Sequence, residues 1–241
     1  MATLLAVRRM LLIAGLVAVT TLAACGDDDG ESGEASGPST STEAAPAEPS
    51  TGASGKCRDV DQPKAKPDGG QKKPTAKLDP ATTYEVVLDT SCGPFTIRLD
   101  VKASPATTAS FVALAKKGFF DDTVFHRIVP GFVIQGGDPT ASGTGGPGYS
   151  TVDRPPAGTR YATGAVAMAK AEAQPPGTSG SQFYVVTGEN APLQPVYAIL
   201  GKVTKGIEVT QQIGELGDPA SGGAGTPTQP VVIEKATVRE R

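Results

Sequence analysis

The sequence has no tryptophan, a single histidine and three cysteines in 241 residues. One imidazole, His126, with Cys25, Cys57 and Cys92, is too small a set for a zinc site of the usual Cys/His type. A Ser-His-Asp hydrolase would have to be built on His126 alone. An excess of one charge is also missing. Lys and Arg number 22 against 25 Asp and Glu, for a formal net charge of −3, so the basic surplus of a nucleic-acid binder is absent. The longest apolar run falls short of the ~20 residues of a membrane-spanning helix. Gly143–Gly148 is followed by neither Lys-Ser/Thr nor a helix start, which removes a phosphate loop. Gly177-Thr178-Ser179-Gly180 misses the Gly-x-Ser-x-Gly spacing of a nucleophile elbow. No internal repeat is evident. What the chain does have is glycine and proline, 30 and 21 residues. That is more than an ordinary globular domain carries and points to a segment without a core.

The N-terminal residues read as an address. Residues 1–24 combine Arg8 and Arg9 with an apolar stretch, Leu11–Ala24, the layout of a signal peptide. Leu22-Ala23-Ala24-Cys25 resembles the bacterial lipobox. That resemblance implies a diacylglyceryl group on Cys25 and a lipid-anchored protein on the outer face of the cytoplasmic membrane. Ordinary cleavage after Ala24, leaving a free cysteine, is the alternative. Export through the general or the twin-arginine route is left open by Arg8-Arg9. Residues 25–79 then read as the lipidated cysteine and a disordered Pro/Ser/Gly/Lys-rich linker. Gly26–Thr51 has almost nothing to bury, and the Lys- and Pro-rich stretch Asp61–Pro80 should be extended. Cys57 and Cys92 are the remaining thiols. An exported chain sits where disulfides form, so they are a candidate pair, although spacing does not establish the geometry.

Residues 80–241 are long enough for one sizeable core. Eight stretches have strand character: Thr83–Asp89, Phe95–Asp100, Thr123–Val129, Phe132–Gln135, Ala165–Lys170, Gln182–Thr187, Tyr197–Thr204 and Val231–Arg239. Two stretches read as helices. The first has Ser104 as N-cap, Pro105 at its first position and Gly118 as its stop; the second is Ile207–Ile213. Eight short strands with two helices predict an all-β fold, a closed eight-stranded antiparallel β-barrel capped by two α-helices. The interior of such a barrel is filled by side chains, which places a binding site on its outer wall.

Chemistry concentrates in Phe125-His126-Arg127-Ile128-Val129-Pro130-Gly131-Phe132-Val133-Ile134-Gln135-Gly136-Gly137-Asp138. Arg127 lies on a strand among apolar residues and needs a partner or a solvent-facing pocket. Alternation puts Arg127 and Val129 on one face, opposite His126 and Ile128, and His126 reads as structural. The Pro130-Gly131 bend brings Phe132 and Gln135 around, so a cation, an aromatic wall and an amide converge. A second cluster, Met168-Ala169-Lys170 and Gly177-Thr178-Ser179-Gly180-Ser181-Gln182-Phe183-Tyr184, gives a tight turn into a strand.

Together these two clusters resemble the cyclophilin family of peptidyl-prolyl cis–trans isomerases, from about Tyr84 to the C-terminus. Gly143-Thr144-Gly145-Gly146 and Leu200-Gly201-Lys202-Val203 fit the same family. The resemblance implies a barrel with a groove on its outside. It makes Arg127 the catalytic arginine and Gln135 the amide beside it. Phe132, Val133, Tyr184, Leu193 and Tyr197 would form the proline pocket. Gly143, Ala169, Lys170, Ala171 and Gln182 would hold the substrate backbone. Val133, Lys170, Tyr184, Pro192 and Tyr197 depart from the residues common in the family, and Pro192 in place of the usual Trp argues against cyclosporin binding. The implied substrates are proline-containing segments of unfolded or exported proteins, acted on by a monomer with no metal or cofactor and no nucleic-acid partner. A non-catalytic chaperone or scaffold that grips proline segments, and an adhesion or signalling barrel, remain as other readings. The intact Arg127, Phe132 and Gln182 set favours the enzyme.

Overall fold

A computed structural model describes residues 56–241 except Asn190. The expected signal peptide, Cys25 and residues 26–55 lie outside the described residues. Eleven strands run in the order β1 (Tyr84–Thr90), β2 (Gly93–Leu99), β3 (Thr123–Val124), β4 (Arg127–Val129), β5 (Val133–Gly136), β6 (Thr151–Val152), β7 (Ala165–Met168), β8 (Thr178–Ser179), β9 (Phe183–Val186), β10 (Ile199–Lys205) and β11 (Val232–Glu240). Helix α1 (Pro105–Lys116) follows β2, helix α2 (Ile207–Gly214) follows β10, and a 3-10 helix covers Pro219–Ala224.

The main sheet is open and has nine strands in the order β3-β11-β1-β2-β10-β7-β9-β5-β4; β6 and β8 form a separate pair. This corrects the expected closed eight-stranded barrel. The reason lies in one stretch. Thr123–Val129 was expected as a single strand, but Phe125 and His126 break it in two. The first half pairs with β11 and the second with β5. The two edges of the sheet are therefore consecutive in sequence and joined by two residues. An isolated bridge between Val124 and Asp138 also spans the seam, so covalent chain replaces the missing ladder. Such a seam manages an exposed edge without full closure. The short pair β6 and β8 and the 3-10 helix carried no period-2 or helical pattern in the sequence.

The strands form where apolar residues alternate, and the alternation decides what is sealed inside. Leu88, Phe95, Ile97, Ile128, Ile134, Met168, Phe183, Val185 and Leu200 make one buried cluster with Phe111 and Phe120. Phe183 sits edge-on to Phe111, with ring centroids 5.4 Å apart, and also meets Phe120 and Phe125. Helix α1 starts at Pro105, whose missing N–H costs nothing at a helix start. Ser104 caps through its main chain only, since its side chain makes no cap hydrogen bond. The helix ends in a Schellman arrangement: Phe119 N–H donates to Leu114 O and Gly118 N–H to Ala115 O, with Gly118 at φ 65°.

Residues 56–79 have no regular secondary structure, but they lie as a strap tied to the domain rather than as the free linker expected up to residue 79. Cys57 and Cys92 form a disulfide across 35 residues of sequence. A cross-link closing a loop of that length stabilises by about 3–4 kcal/mol in the chain-entropy account. Arg58 N–H donates to Ser91 O at 2.8 Å, Lys66 N–H to Pro139 O at 2.8 Å, Gly69 N–H to Gly146 O at 2.9 Å and Gln71 N–H to Pro147 O at 3.0 Å. The Lys66 ammonium donates to the carbonyls of Gly118, Phe119 and Asp121 just beyond α1, where a cation suits the helix dipole. Composition alone reads this stretch as unstructured because its apolar content is low. What orders it is backbone pairing and a covalent bond.

Candidate active site

The site is built on the outer face of β4, β5, β9 and β7. Register sets Arg127 opposite Gln135, Gln135 opposite Tyr184, and Tyr184 opposite Ala167. Directly paired residues share a face, so a guanidinium, an amide and a phenol ring stand side by side in one row across the sheet. The turn between β4 and β5 closes with Phe132 N–H donating to Val129 O at 3.0 Å, with Gly131 at φ 66°. Phe132 O then accepts from Thr187 N–H at 2.9 Å. Gly188 is required there, since a Cβ would lie 1.9 Å from Gly131 O.

A cavity of about 260 Å³ is lined by Arg127, Phe132, Val133, Gln135 and Ala169, with Lys170, Tyr184, Leu193 and Tyr197 on the remaining sides. Nine of the residues named from the sequence thus converge on one hollow. Behind it lies a small second apolar cluster of Val133, Tyr161, Ala167, Tyr184 and Val186. Tyr161, Tyr184 and Tyr197 pack against one another, with Tyr184 and Tyr197 edge-on at 5.6 Å. The Tyr184 hydroxyl is buried without a hydrogen-bond partner among the described residues. Burial is the main reason its pKa is pushed up, with the neighbouring Tyr161 and Tyr197 adding to it.

Gly143, Ala171 and Gln182 line a different and larger hollow, of about 610 Å³. It adjoins the first through three shared residues, Gln135, Ala169 and Lys170. The Ala169 N–H is committed to Gln182 O at 2.9 Å. The Lys170 ammonium is tied to the carbonyls of Ala171, Glu172 and Gln174 and lies 5.8 Å from the centre of the Tyr197 ring.

Arg127 is half-buried and no carboxylate pairs it; the three ion pairs among the described residues involve other groups. Nε and Nη2 donate to Gly223 O at 3.1 and 3.0 Å, and Nη1 to Gln135 Oε1 at 3.5 Å. Three of the five N–H donors of a guanidinium are used, which leaves two. Burial pulls its pKa down from the ordinary arginine value, opposed by the nearby Tyr197, but it stays charged. The amides continue outward. Gln135 Nε2 donates to Gln182 Oε1 at 3.0 Å, and Gln182 Nε2 donates to Gly143 O and Gly145 O at 3.0 and 2.9 Å. The loop supplying those carbonyls is held from below by Asp138. Its carboxylate accepts from Thr140 N–H and Oγ1, Gly143 N–H and Gly145 N–H at 2.6–3.1 Å. Burial alone would raise the pKa of Asp138, but these hydrogen bonds together outweigh it and hold it down.

Two supports were missed in the sequence. Asp138 closes the motif that was singled out, and its Asp-x-Thr spacing is the signal that could have exposed it as a loop cap. Gly223 O, which fixes Arg127, comes from Ser221-Gly222-Gly223-Ala224-Gly225, which carries no pattern. His126 packs beside Gly143, where a Cβ would lie 4.0 Å from the imidazole Nε2. Its ring nitrogens are buried and unpartnered among the described residues.

This fold and this row of residues define a class. Residues 85–238 match the family described as cyclophilin type peptidyl-prolyl cis-trans isomerase/CLD. Peptidyl-prolyl cis-trans isomerase A of Mycobacterium tuberculosis is 36% identical over 175 residues, covering 66% of this chain and 94% of the relative. Peptidyl-prolyl cis-trans isomerase-like 1 of Gibberella zeae is 35% identical over 161 residues, covering 66% and 96%. A cyclophilin-type isomerase of Cryptosporidium parvum superposes with a TM-score of 0.59 at 28% identity, covering 66% of this chain and 99% of that one. The same Cryptosporidium protein solved in the presence of the dipeptide Ala-Pro gives 0.58 at 29% identity, covering 65% and 99%. The chain belongs to the cyclophilin-type peptidyl-prolyl cis–trans isomerases and is an enzyme of that activity.

Proposed function

We propose that this isomerase acts on proline-containing segments of exported proteins while held on the outer face of the cytoplasmic membrane by a lipid on Cys25. The observation that carries the catalytic part is an uncompensated guanidinium with two spare donors at the mouth of an apolar cavity. The C. parvum relative solved with Ala-Pro supports proline as the group that enters. The location rests on the leader, Arg8 and Arg9 before Leu11–Ala24, and on Leu22-Ala23-Ala24-Cys25.

The mechanism follows from amide chemistry. Rotation about an X–Pro bond faces a barrier of roughly 18–20 kcal/mol because resonance holds the amide planar. No bond is made or broken, so the task is to favour the twisted amide over both planar forms. Twisting localises the lone pair on the prolyl nitrogen. Arg127 donates a hydrogen bond to that nitrogen, while Phe132, Val133, Tyr184 and Leu193 enclose the ring and exclude water. Gln135, itself fixed by Gln182, orients Arg127 and meets the substrate carbonyl.

In a proline-isomerisation assay, Arg127→Ala lowers kcat/KM by about 100-fold, the scale of a lost transition-state donor. Turnover close to wild type would sink the role, and turnover lost with peptide binding retained would also separate the enzyme from a mere proline binder. For the anchor, mass spectrometry of the mature N-terminus should find a diacylglyceryl cysteine at position 25. An unmodified Cys25, or release of the protein from membranes irrespective of Cys25→Ser, would overturn that part.

A further inference from the structure

The second hollow has one wall that comes from outside the family-matched residues of this chain. The matched region begins at residue 85, yet Asp68, on the strap, lines the 610 Å³ hollow beside Gly143–Ser150. This wall is built with close tolerances. Gly146 N–H donates to Asp68 Oδ1 at 2.8 Å, and Gly69 N–H returns a bond to Gly146 O. A Cβ on Gly148 would lie 3.0 Å from Gly69 Cα, so the strap and the loop touch backbone to backbone. Lys73 Nζ adds a bond to Ser150 O at 2.9 Å, and the Cys57–Cys92 disulfide fixes the start of the strap.

The electrostatics of the hollow follow from these contacts. Asp68 is the only carboxylate and Lys170 the only cation lining it among the described residues. The two stand differently. The Lys170 ammonium already donates to the carbonyls of Ala171, Glu172 and Gln174, two of which, Ala171 and Gln174, belong to the lining of this same hollow. The Asp68 carboxylate is exposed and uses only Oδ1 within the protein, leaving Oδ2 for a ligand. Because the hollow joins the proline cavity only through Gln135, Ala169 and Lys170, a bound peptide reaches it from one side of its proline.

We propose that Asp68 is a specificity-determining residue: the strap brings its carboxylate into the substrate groove, where it selects a lysine or arginine side chain on one side of the proline. This rests on the isomerase reading of the neighbouring cavity. The pair formed would be exposed, so its effect is modest and sensitive to salt.

The test uses the full chain with its disulfide intact and proline peptides carrying Lys, Gln or Glu in turn at each position flanking the proline. Both kcat/KM and calorimetric affinity are read. For the wild type, the Lys/Glu ratio should exceed one by roughly threefold to fivefold, the size of an exposed charge pair. That preference should appear at positions on one side only and shrink at about 0.5 M salt. Asp68→Asn keeps an oxygen for Gly146 N–H and removes only the charge, so the ratio should fall towards one; Asp68→Lys should invert it. A ratio unchanged in both variants, or shifted equally on both sides of the proline, overturns the proposal. Absence of turnover with any peptide would overturn the catalytic reading instead, and the affinity ratios would still decide the role of Asp68.

Discussion

The strands β4, β5 and β9 have two faces made by the same alternation and put to opposite uses. Inward, Ile128, Ile134, Phe183 and Val185 are sealed against Phe111, Phe120 and Phe125. Outward, one residue away in each strand, stand Arg127, Gln135 and Tyr184. The inner face has no polar work to do and is packed to exclusion. The outer face has its own apolar cluster of five buried residues, but among the described residues it is left with a hollow, a charge without a counter-charge and a buried hydroxyl without a partner. An interior packed like a crystal returns the most stability per side chain; a site must forgo some of that to keep room for a ligand.

The sharpest way to break the comparison is at Phe183. Phe183→Ala should lower unfolding free energy by about 3–5 kcal/mol, read by denaturant titration, and should lower activity only through loss of fold. Arg127→Ala should do the reverse. It should cost about 100-fold in kcat/KM with a midpoint near that of wild type, since the side chain surrenders two bonds to Gly223 O, a long one to Gln135 Oε1 and no ion pair. Should both variants lose stability alike, the division between the faces fails.

Tyr184→Phe sharpens the same contrast with the opposite sign. Removing a buried hydroxyl that has no partner among the described residues should raise stability by about 1 kcal/mol, measured as a higher thermal midpoint. A loss of stability would mean that the hydroxyl is satisfied by something else.

The smallest effect is at His126, in the two-residue break just before β4. Burial, reinforced by the Arg127 charge and opposed by Asp138, holds its pKa below the ordinary value. The unfolded chain therefore takes up a proton first, near pH 6.5. Stability from this group is fully present above about 6.5 and falls as pH drops towards the folded value. His126→Asn should flatten that part of the stability profile. A slope that survives the substitution would have to come from other groups.

Much of this was legible in the chain. Period-2 alternation located both terminal hairpin strands and the strand bearing Phe183 to within two residues, because one buried face forces the pattern. Pro105 and Gly118 set the limits of α1 through backbone restrictions that need no tertiary contact. Arg127, Phe132, Gln135, Gln182 and Tyr184 could be picked out because they are polar or aromatic side chains within distinctive local motifs. What could not be read was whatever depends on distant backbone. The break at Phe125-His126 is invisible locally because both halves look like strand; they separate only because β11 and β5 each claim one. Gly223 O reaches Arg127 across 96 residues, and a carbonyl has no sequence signature.

The amino-acid order by itself determined which residues alternate inward, where the first helix stops, and that a guanidinium, an aromatic wall and an amide would be available near one bend. Tertiary structure alone decided that the sheet stays open with its seam bridged by two residues, that nine of the named residues share one hollow while the other three line only its neighbour, and that a proline- and lysine-rich stretch becomes a wall. The reason is physical. Side-chain period and backbone torsions are set by neighbours in the chain, whereas carbonyls, strand partners and cavity walls are chosen by whichever distant segment can satisfy them.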